Sequence, residues 1–162
     1  MPKPNTVKGT KDLFGQEVLS QNNIINIFSG ICSFLNFKSV STPILEHSKT
    51  FTKTLGSSSD IISKEIYNFI DQGGDHLVLR PEGTAAVARA IITNSFQDKL
   101  NHKYYYSGPM FRRERPQSGR LRQFHQVGLE VFDSGDFHND VEVILIAEKF
   151  LELLSIKKKV KL

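Results

Sequence analysis

Seven arginines occur in the 162 residues, and five of them (Arg112, Arg113, Arg115, Arg120 and Arg122) fall within an eleven-residue stretch. Lysine is spread elsewhere. Solubility alone gives no reason for such clustering. A guanidinium presents parallel N–H donors that match phosphate or carboxylate oxygens, so the cluster points to an oxyanion site. The stretch runs into residues 122–132, whose alternation predicts a strand. One parity carries Val127, Leu129 and Val131, a core face. The other carries Arg122, Phe124, Gln126, Gly128 and Glu130, which puts an aromatic plate, an amide, a gap and a carboxylate in one row. Such a row suits the floor of a polar small-molecule site. Alternation alone also permits a solvent-facing sheet surface.

A partner strand over 104–112 places Tyr104, Tyr106, Gly108, Met110 and Arg112 on one parity, with Arg112 at the hairpin's open end. Arg112 and Arg120 can clamp phosphate oxygens. Phe124 can stack on a base, and Glu114 can accept a hydrogen bond from an exocyclic amine. The plainer alternative is nonspecific RNA binding by a basic loop. Arg80-Pro-Glu-Gly-Thr84 lies just past a strand end and at a helix start. Glu82 there either stabilises the first helical turn or holds a ligand ammonium group, and Thr84 can cap the helix. Five histidines and one cysteine show no metal-ligand spacing. There is no phosphate-binding G-x-x-x-x-G-K-[ST], no G-x-G-x-x-G opening a βαβ unit and no G-x-S-x-G elbow. His125 shares its parity with Val127 and is expected to pack rather than react.

The elements that must position these residues follow from periodicity. Residues 1–15, with Pro2, Pro4, Gly9 and Gly15, read as an extended arm. From 17 to 36 the apolar residues Ile24, Ile27, Phe28, Ile31, Phe34 and Leu35 recur at spacings of three and four, an amphipathic helix. A β-prone segment over 38–45 follows, confined by Pro43 to an edge or a bulge. Residues 49–62 begin as a short helix and relax into Gly56 and three serines, a mobile loop. Strands at 66–70 and 77–79 flank Asp71-Gln-Gly-Gly-Asp75, a hairpin signal. A helix runs through 85–92, the 104–112 and 122–132 hairpin comes next, and a helix over 140–155 closes the chain. Its expected buried stripe is Val141, Ile144, Leu145, Leu151 and Leu154. The order is α+β, an antiparallel sheet flanked by helices rather than a βαβ series.

Length and composition are those of one ordinary globular domain, 39% hydrophobic and 10% aromatic. No apolar run is long enough to span a bilayer, and the first residues carry no secretory apolar segment. The net charge of +4 equals the contribution of Lys157, Lys158, Lys159 and Lys161, so the rest of the chain is neutral. The overall charge is therefore weak evidence for nucleic acid. Cys32, with Ile31 and Phe34 nearby, reads as part of a buried helix face. A reducing cytoplasm is the expected compartment.

Five strings occur in order: Gly9-Thr-Lys-Asp12, Thr42-Pro-Ile-Leu-Glu46, Leu79-Arg-Pro-Glu-Gly-Thr-Ala85, the run from Tyr106 to Gln117, and the run from Gly119 to Gln126. Together they resemble the histidyl-tRNA synthetases, class II aminoacyl-tRNA synthetases, over about residues 6–155. The helix and Pro43 segment, about 17–46, look like motif 1, which in that family forms the dimer interface. The stretch at about 104–132 looks like motif 2. The resemblance implies that Arg112 holds the α-phosphate of ATP, that Glu114 takes the adenine amine, that Phe124 stacks on the ring and that Arg120 lies along the phosphates. It likewise implies that Glu82 and Thr84 take the amino group of histidine, while Gln126 and Glu130 line its pocket. The implied partners are histidine, ATP with Mg2+, tRNA(His) and a second copy of the chain.

The family's Gly-rich histidine-binding segment, motif 3 and anticodon-binding domain have no counterpart in these 162 residues. The chain therefore resembles an N-terminal portion of the catalytic core, expected to be inactive alone. Two further readings share this fold: the synthetase-like regulatory subunit of ATP phosphoribosyltransferase, and a dimerising remnant without a site. The intact arginine strings argue against the regulatory subunit. Class II enzymes for prolyl or threonyl tRNA also share the fold, but Arg80-Pro-Glu82 with Gln126 and Glu130 leans towards histidine.

Overall fold

A computed structural model describes residues 4–54, 65–96, 102–114, 119–132, 135–156 and 160. In chain order the elements are α1 (Gln16–Phe34), β1 (Lys38–Ser39), β2 (Leu45–His47), α2 (Ser48–Thr54), β3 (Tyr67–Ile70), β4 (His76–Leu79), α3 (Thr84–Thr93), β5 (His102–Phe111), β6 (Gln123–Phe132) and α4 (Phe137–Leu153). The α+β order holds. The strands form two three-stranded sheets, β1-β5-β6 and β2-β4-β3. The serine-rich stretch expected to be a loop, together with Arg115, Pro116 and most of the lysine-rich end, lies outside the described residues.

The chain divides into two compact units. One comprises Met1–Asp12, Thr42–Phe96 and Gly108–Gln126, and the other Leu13–Ser41, Gln97–Ser107 and Val127–Leu162. The second unit is built on α1, where Phe28, Ile31, Cys32 and Leu35 fall at i, i+3, i+4 and i+7 and face the core. Phe34, expected on the same stripe, is 85% exposed, because it sits about 120° round the helix from that face. The helix ends in a left-handed turn. Asn36 has φ 62°, its N–H donates to Ser33 O (3.1 Å), and Phe37 N–H donates to Cys32 O (2.9 Å). This six-to-one closure returns Phe37 to the core and launches β1.

The core also holds Ile146, Phe150, Tyr105 and the row Val127, Leu129 and Val131, as alternation along β6 predicts. Phe28 meets Phe150 edge-on at 5.2 Å between ring centres. In α4 the buried side is not the expected stripe: Val141, Ile144 and Leu145 are exposed, and Ile146 is buried instead. Apolar residues occur on more than one side of this helix, so periodicity admits two overlapping stripes, and packing decides between them. Asp136 caps α4 by accepting from His138 N–H at 3.0 Å.

The 38–45 segment is not one strand. Pro43 lacks an N–H for a ladder, and the chain splits there into two edge strands in different sheets. β1 pairs in parallel with β5 (Lys38 opposite Tyr104), so the first sheet is mixed rather than purely antiparallel. In the other unit β2 and β3 pair antiparallel with β4, Glu46 and Asn68 both opposing Val78. The β3–β4 turn is fastened by Asp71, whose Oδ1 accepts from Gly73 and Asp75 N–H at 2.9 Å each. Gly74, at φ 89°, takes the left-handed position. Phe51, Ile66, Val78 and Ala85 form this unit's core cluster. Glu46, 5% exposed, is held by both Nε and Nη2 of Arg89, which ties β2 to α3. Among the described residues no helix is long and apolar enough to cross a membrane.

Burial pushes the Cys32 thiol up to about 11. With the folded value raised, its contribution to stability is complete below the ordinary thiol range and is lost as pH rises towards 11. At pH 8 an aromatic disulfide reagent should react slowly with the native protein and take up one equivalent only on unfolding. Fast native-state labelling would contradict this burial.

Candidate functional site

Most of the residues singled out for chemistry lie in the unit that carries β4 and α3. β4 ends at Leu79, and the next residues pass between two strands. Arg80 N–H donates to Ile44 O just before β2 (3.0 Å), and Arg80 O accepts from Phe111 N–H at the end of β5 (3.0 Å). The chain then turns into α3. Thr84 was expected to cap that helix, but the cap position is Gly83 and Thr84 is its exposed first residue. Glu82 does the capping. Its two carboxylate oxygens accept from Thr84 N–H and, at 2.9 Å, Ala85 N–H. An ionised carboxylate has about four lone-pair sites, so capping leaves acceptor capacity on Glu82.

Arg112 follows β5 directly. Its Nε donates to Pro81 O at 3.0 Å, and its guanidinium carbon lies 5.1 Å from the Phe124 ring centre. Its two terminal nitrogens make no hydrogen bond among the described residues. Arg120 Nη1 donates to Glu114 Oε2 at 3.1 Å, with Arg120 well exposed and Glu114 largely covered. Arg122 Nε holds Glu114 O at 3.2 Å, and Arg122 N–H reaches back to Gly9 O at 2.7 Å. Gly9 has φ 87°, and a Cβ there would stand 2.7 Å from Arg122 Cγ. The N-terminal arm is thus docked against Arg122 by a residue that must be glycine. Gln126 lies two residues beyond Phe124 on the same face of β6. Its Oε1 is buried and has no hydrogen-bond partner among the described residues, which marks it as an acceptor open to a donor.

The structure therefore places Arg112 on Phe124, Arg120 on Glu114, and Glu82 beside Thr84, all in one unit. Glu130 belongs to the other unit. There Tyr106 donates to its Oε1 at 3.4 Å. The gap expected at Gly128 is filled: a Cβ on Gly128 would overlap the ring and hydroxyl of Tyr106. His125, expected to pack, is exposed, because the packed row on that face of β6 begins at Val127. Two residues that sequence reasoning passed over as site residues are prominent, Tyr106 and Arg80. The signal for each was a glycine opposite, Gly128 and Gly108, but which side chain fills a glycine gap depends on pairing between distant segments.

Two guanidinium groups, an aromatic plate, a carboxylate and an unpaired amide oxygen form a set suited to a phosphorylated, nitrogen-bearing ligand. The fold that carries them is part of the catalytic core of a class II aminoacyl-tRNA synthetase. Within that class the chain belongs to the histidyl-tRNA synthetase family, whose model matches residues 9–162. A histidine–tRNA ligase of Thermotoga petrophila is 45% identical over 153 residues, covering 94% of this chain and 36% of the relative. The structure of apo S. aureus histidyl-tRNA synthetase superposes with a TM-score of 0.75 at 30% identity, covering 93% of this chain and 34% of that one. A structure described as an ATP phosphoribosyltransferase regulatory subunit/histidyl-tRNA synthetase from Bacillus halodurans gives a TM-score of 0.76 at 26% identity, covering 94% and 39%. The chain thus spans little more than a third of the length of the proteins it matches.

Gly128→Ala should force Tyr106 off its site and lower stability by about 1–3 kcal/mol, the usual cost of overpacking. Urea unfolding measures it. Unchanged stability would show that Tyr106 gives way freely.

Proposed function

We propose that this protein activates histidine with ATP, forming histidyl-adenylate and pyrophosphate, and then transfers the histidine to tRNA(His). The observation that supports it most is the hold on Arg112: its Nε is fixed on Pro81 O, beside Phe124, while its terminal nitrogens make no hydrogen bond among the described residues. In this mechanism Arg112, the catalytic residue, binds the α-phosphate and stabilises the charge that builds there. Adenine stacks on Phe124 and its amine donates to Glu114, while Arg120 moves from Glu114 to the phosphates. Glu82 and Thr84 bind the histidine ammonium, and Gln126 and Glu130 line the amino-acid pocket.

The carboxylate of histidine is ionised at neutral pH, so it attacks the α-phosphorus without a general base. The bond to the bridging oxygen breaks and pyrophosphate leaves with the electron pair. Catalysis is then alignment and charge stabilisation. Among the described residues no three imidazole, thiol or carboxylate groups converge on a possible metal position. Magnesium would come with the ATP phosphates and would neutralise part of their charge. A homodimer formed through α1 and the segment after it fits the exposed Phe34 and Leu19 on that helix. A cytoplasmic location accords with this function.

The Bacillus halodurans neighbour supports one alternative, a synthetase-like regulatory subunit of ATP phosphoribosyltransferase that does not charge tRNA. Histidine binding with no ATP binding would favour it. The test is histidine-dependent exchange between ATP and pyrophosphate, with the full-length protein from its source. Exchange is expected, and Arg112→Ala should reduce it about 10²-fold or more. Absence of exchange in the unaltered protein would overturn the enzymatic function. The 162 residues alone, little more than a third of their relatives' length, should not charge tRNA; detectable histidyl-tRNA from them would refute that expectation.

A further inference from the structure

We infer that Arg80 is a positioning residue for the reaction proposed above, acting through Arg112; the inference rests on that function. Arg80 is 6% exposed. Its guanidinium donates from Nε to Pro109 O (3.1 Å) and from Nη1 to Thr42 O (2.8 Å) and Thr42 Oγ1 (3.0 Å). Its Nη2 fills the space over Gly108, where any Cβ would collide with it. One side chain thus joins three segments: the approach to β2, the end of β4 and the last residues of β5.

What Arg80 secures distinguishes it from an ordinary core residue. Its own carbonyl accepts from Phe111 N–H, and the next carbonyl, that of Pro81, accepts from Arg112 Nε. The residue after that is Glu82. Arg112 is therefore oriented by a peptide whose place is set by the fork of Arg80, and proline at 81 leaves that peptide little conformational freedom. An ammonium group at residue 80 keeps the charge but cannot reach Pro109 and Thr42 together in the planar geometry of a guanidinium. A shift of about 1 Å in a group that aligns the reacting atoms can cost roughly 10²-fold in rate. The guanidinium of Arg80 is buried against Thr42 and Pro109, so its effect on the reaction passes through Arg112.

The experiment uses the full-length protein with 15N-labelled arginine, compared with Arg80→Lys and, as an approach from the opposite side, Gly108→Ala. The Arg112 Nε–H resonance is assigned by its loss in Arg112→Lys. Both variants should move or broaden it while leaving the Arg89 Nε–H, bonded to Glu46 in the same unit, in place. In pyrophosphate exchange, Arg80→Lys should lower kcat/KM for ATP about tenfold or more. In an Arg112→Lys background the same substitution should cost less than about threefold, the signature of residues acting in series. An Arg89 resonance that moves as far as that of Arg112, additive losses in the double variant, or failure of both variants to fold would each overturn the inference, since Arg80 would then serve the fold at large. If the unaltered protein shows no exchange, the enzymatic function fails, and the Arg112 resonance still decides whether Arg80 orients it.

Discussion

A guanidinium cannot lose its proton at any pH a protein survives, so wherever it is buried its N–H groups must meet acceptors. That constraint organises the unit carrying β4 and α3. Arg80 is buried there, and its acceptors include the carbonyls of Thr42 and Pro109 and the Thr42 hydroxyl. These acceptors lie in two segments far from Arg80 in the chain, and satisfying one cation brings them into register. Gly108 has no side chain because the guanidinium occupies that space. Pro81, Glu82 and Arg112 inherit their places from this arrangement. A slack aliphatic residue at 80 would fill volume but fix no direction.

The other arginines divide by burial into structural and exchangeable. Arg89 grips Glu46 with two nitrogens on a carboxylate that is 5% exposed. Arg89 is half-buried, but removing it would leave that carboxylate covered without its partner, at a cost of about 1–3 kcal/mol, so the pair is not at liberty to change partners. Arg120 and Glu114 form a single bond with Arg120 65% exposed. A pair like that is worth about 0–1 kcal/mol, and a polyanionic ligand can displace it at little cost. Arg112 is intermediate: anchored at Nε, resting on Phe124 and, among the described residues, without a hydrogen bond at its other end. This grading matches the proposed division of labour, in which Arg112 is held in place, Arg120 changes partners and Arg89 holds the fold together.

Patterns of short range were legible in the sequence. The face of α1 at Phe28, Ile31, Cys32 and Leu35, the Asp71–Asp75 hairpin, the core row of β6 and the helix after Thr84 all follow from periodicity or turn chemistry. Candidate residues could be named too, because residue type and spacing suggest a chemistry directly. What misled was any choice between near-equal local options. The last helix offers two apolar stripes, and the one around Ile146 packs while Val141, Ile144 and Leu145 stay exposed. Pro43 signalled a broken ladder but not that the two halves would join different sheets, one of them in parallel. Gly128 signalled a gap but not that Tyr106 would occupy it.

By itself the sequence determined the inventory and its order: clustered arginines, alternating faces, turn residues and a family pattern running from the N-terminal arm to β6. These depend on covalent spacing, and spacing is visible in one dimension. The tertiary structure alone decided which groups are spent on the fold and which remain for chemistry. Arg80 and Glu82 stand two residues apart, yet one is buried in carbonyl oxygens and the other caps a helix with acceptor capacity to spare. The difference arises because hydrogen-bond satisfaction and desolvation are properties of a closed three-dimensional surrounding, and segments tens of residues apart must meet before either exists.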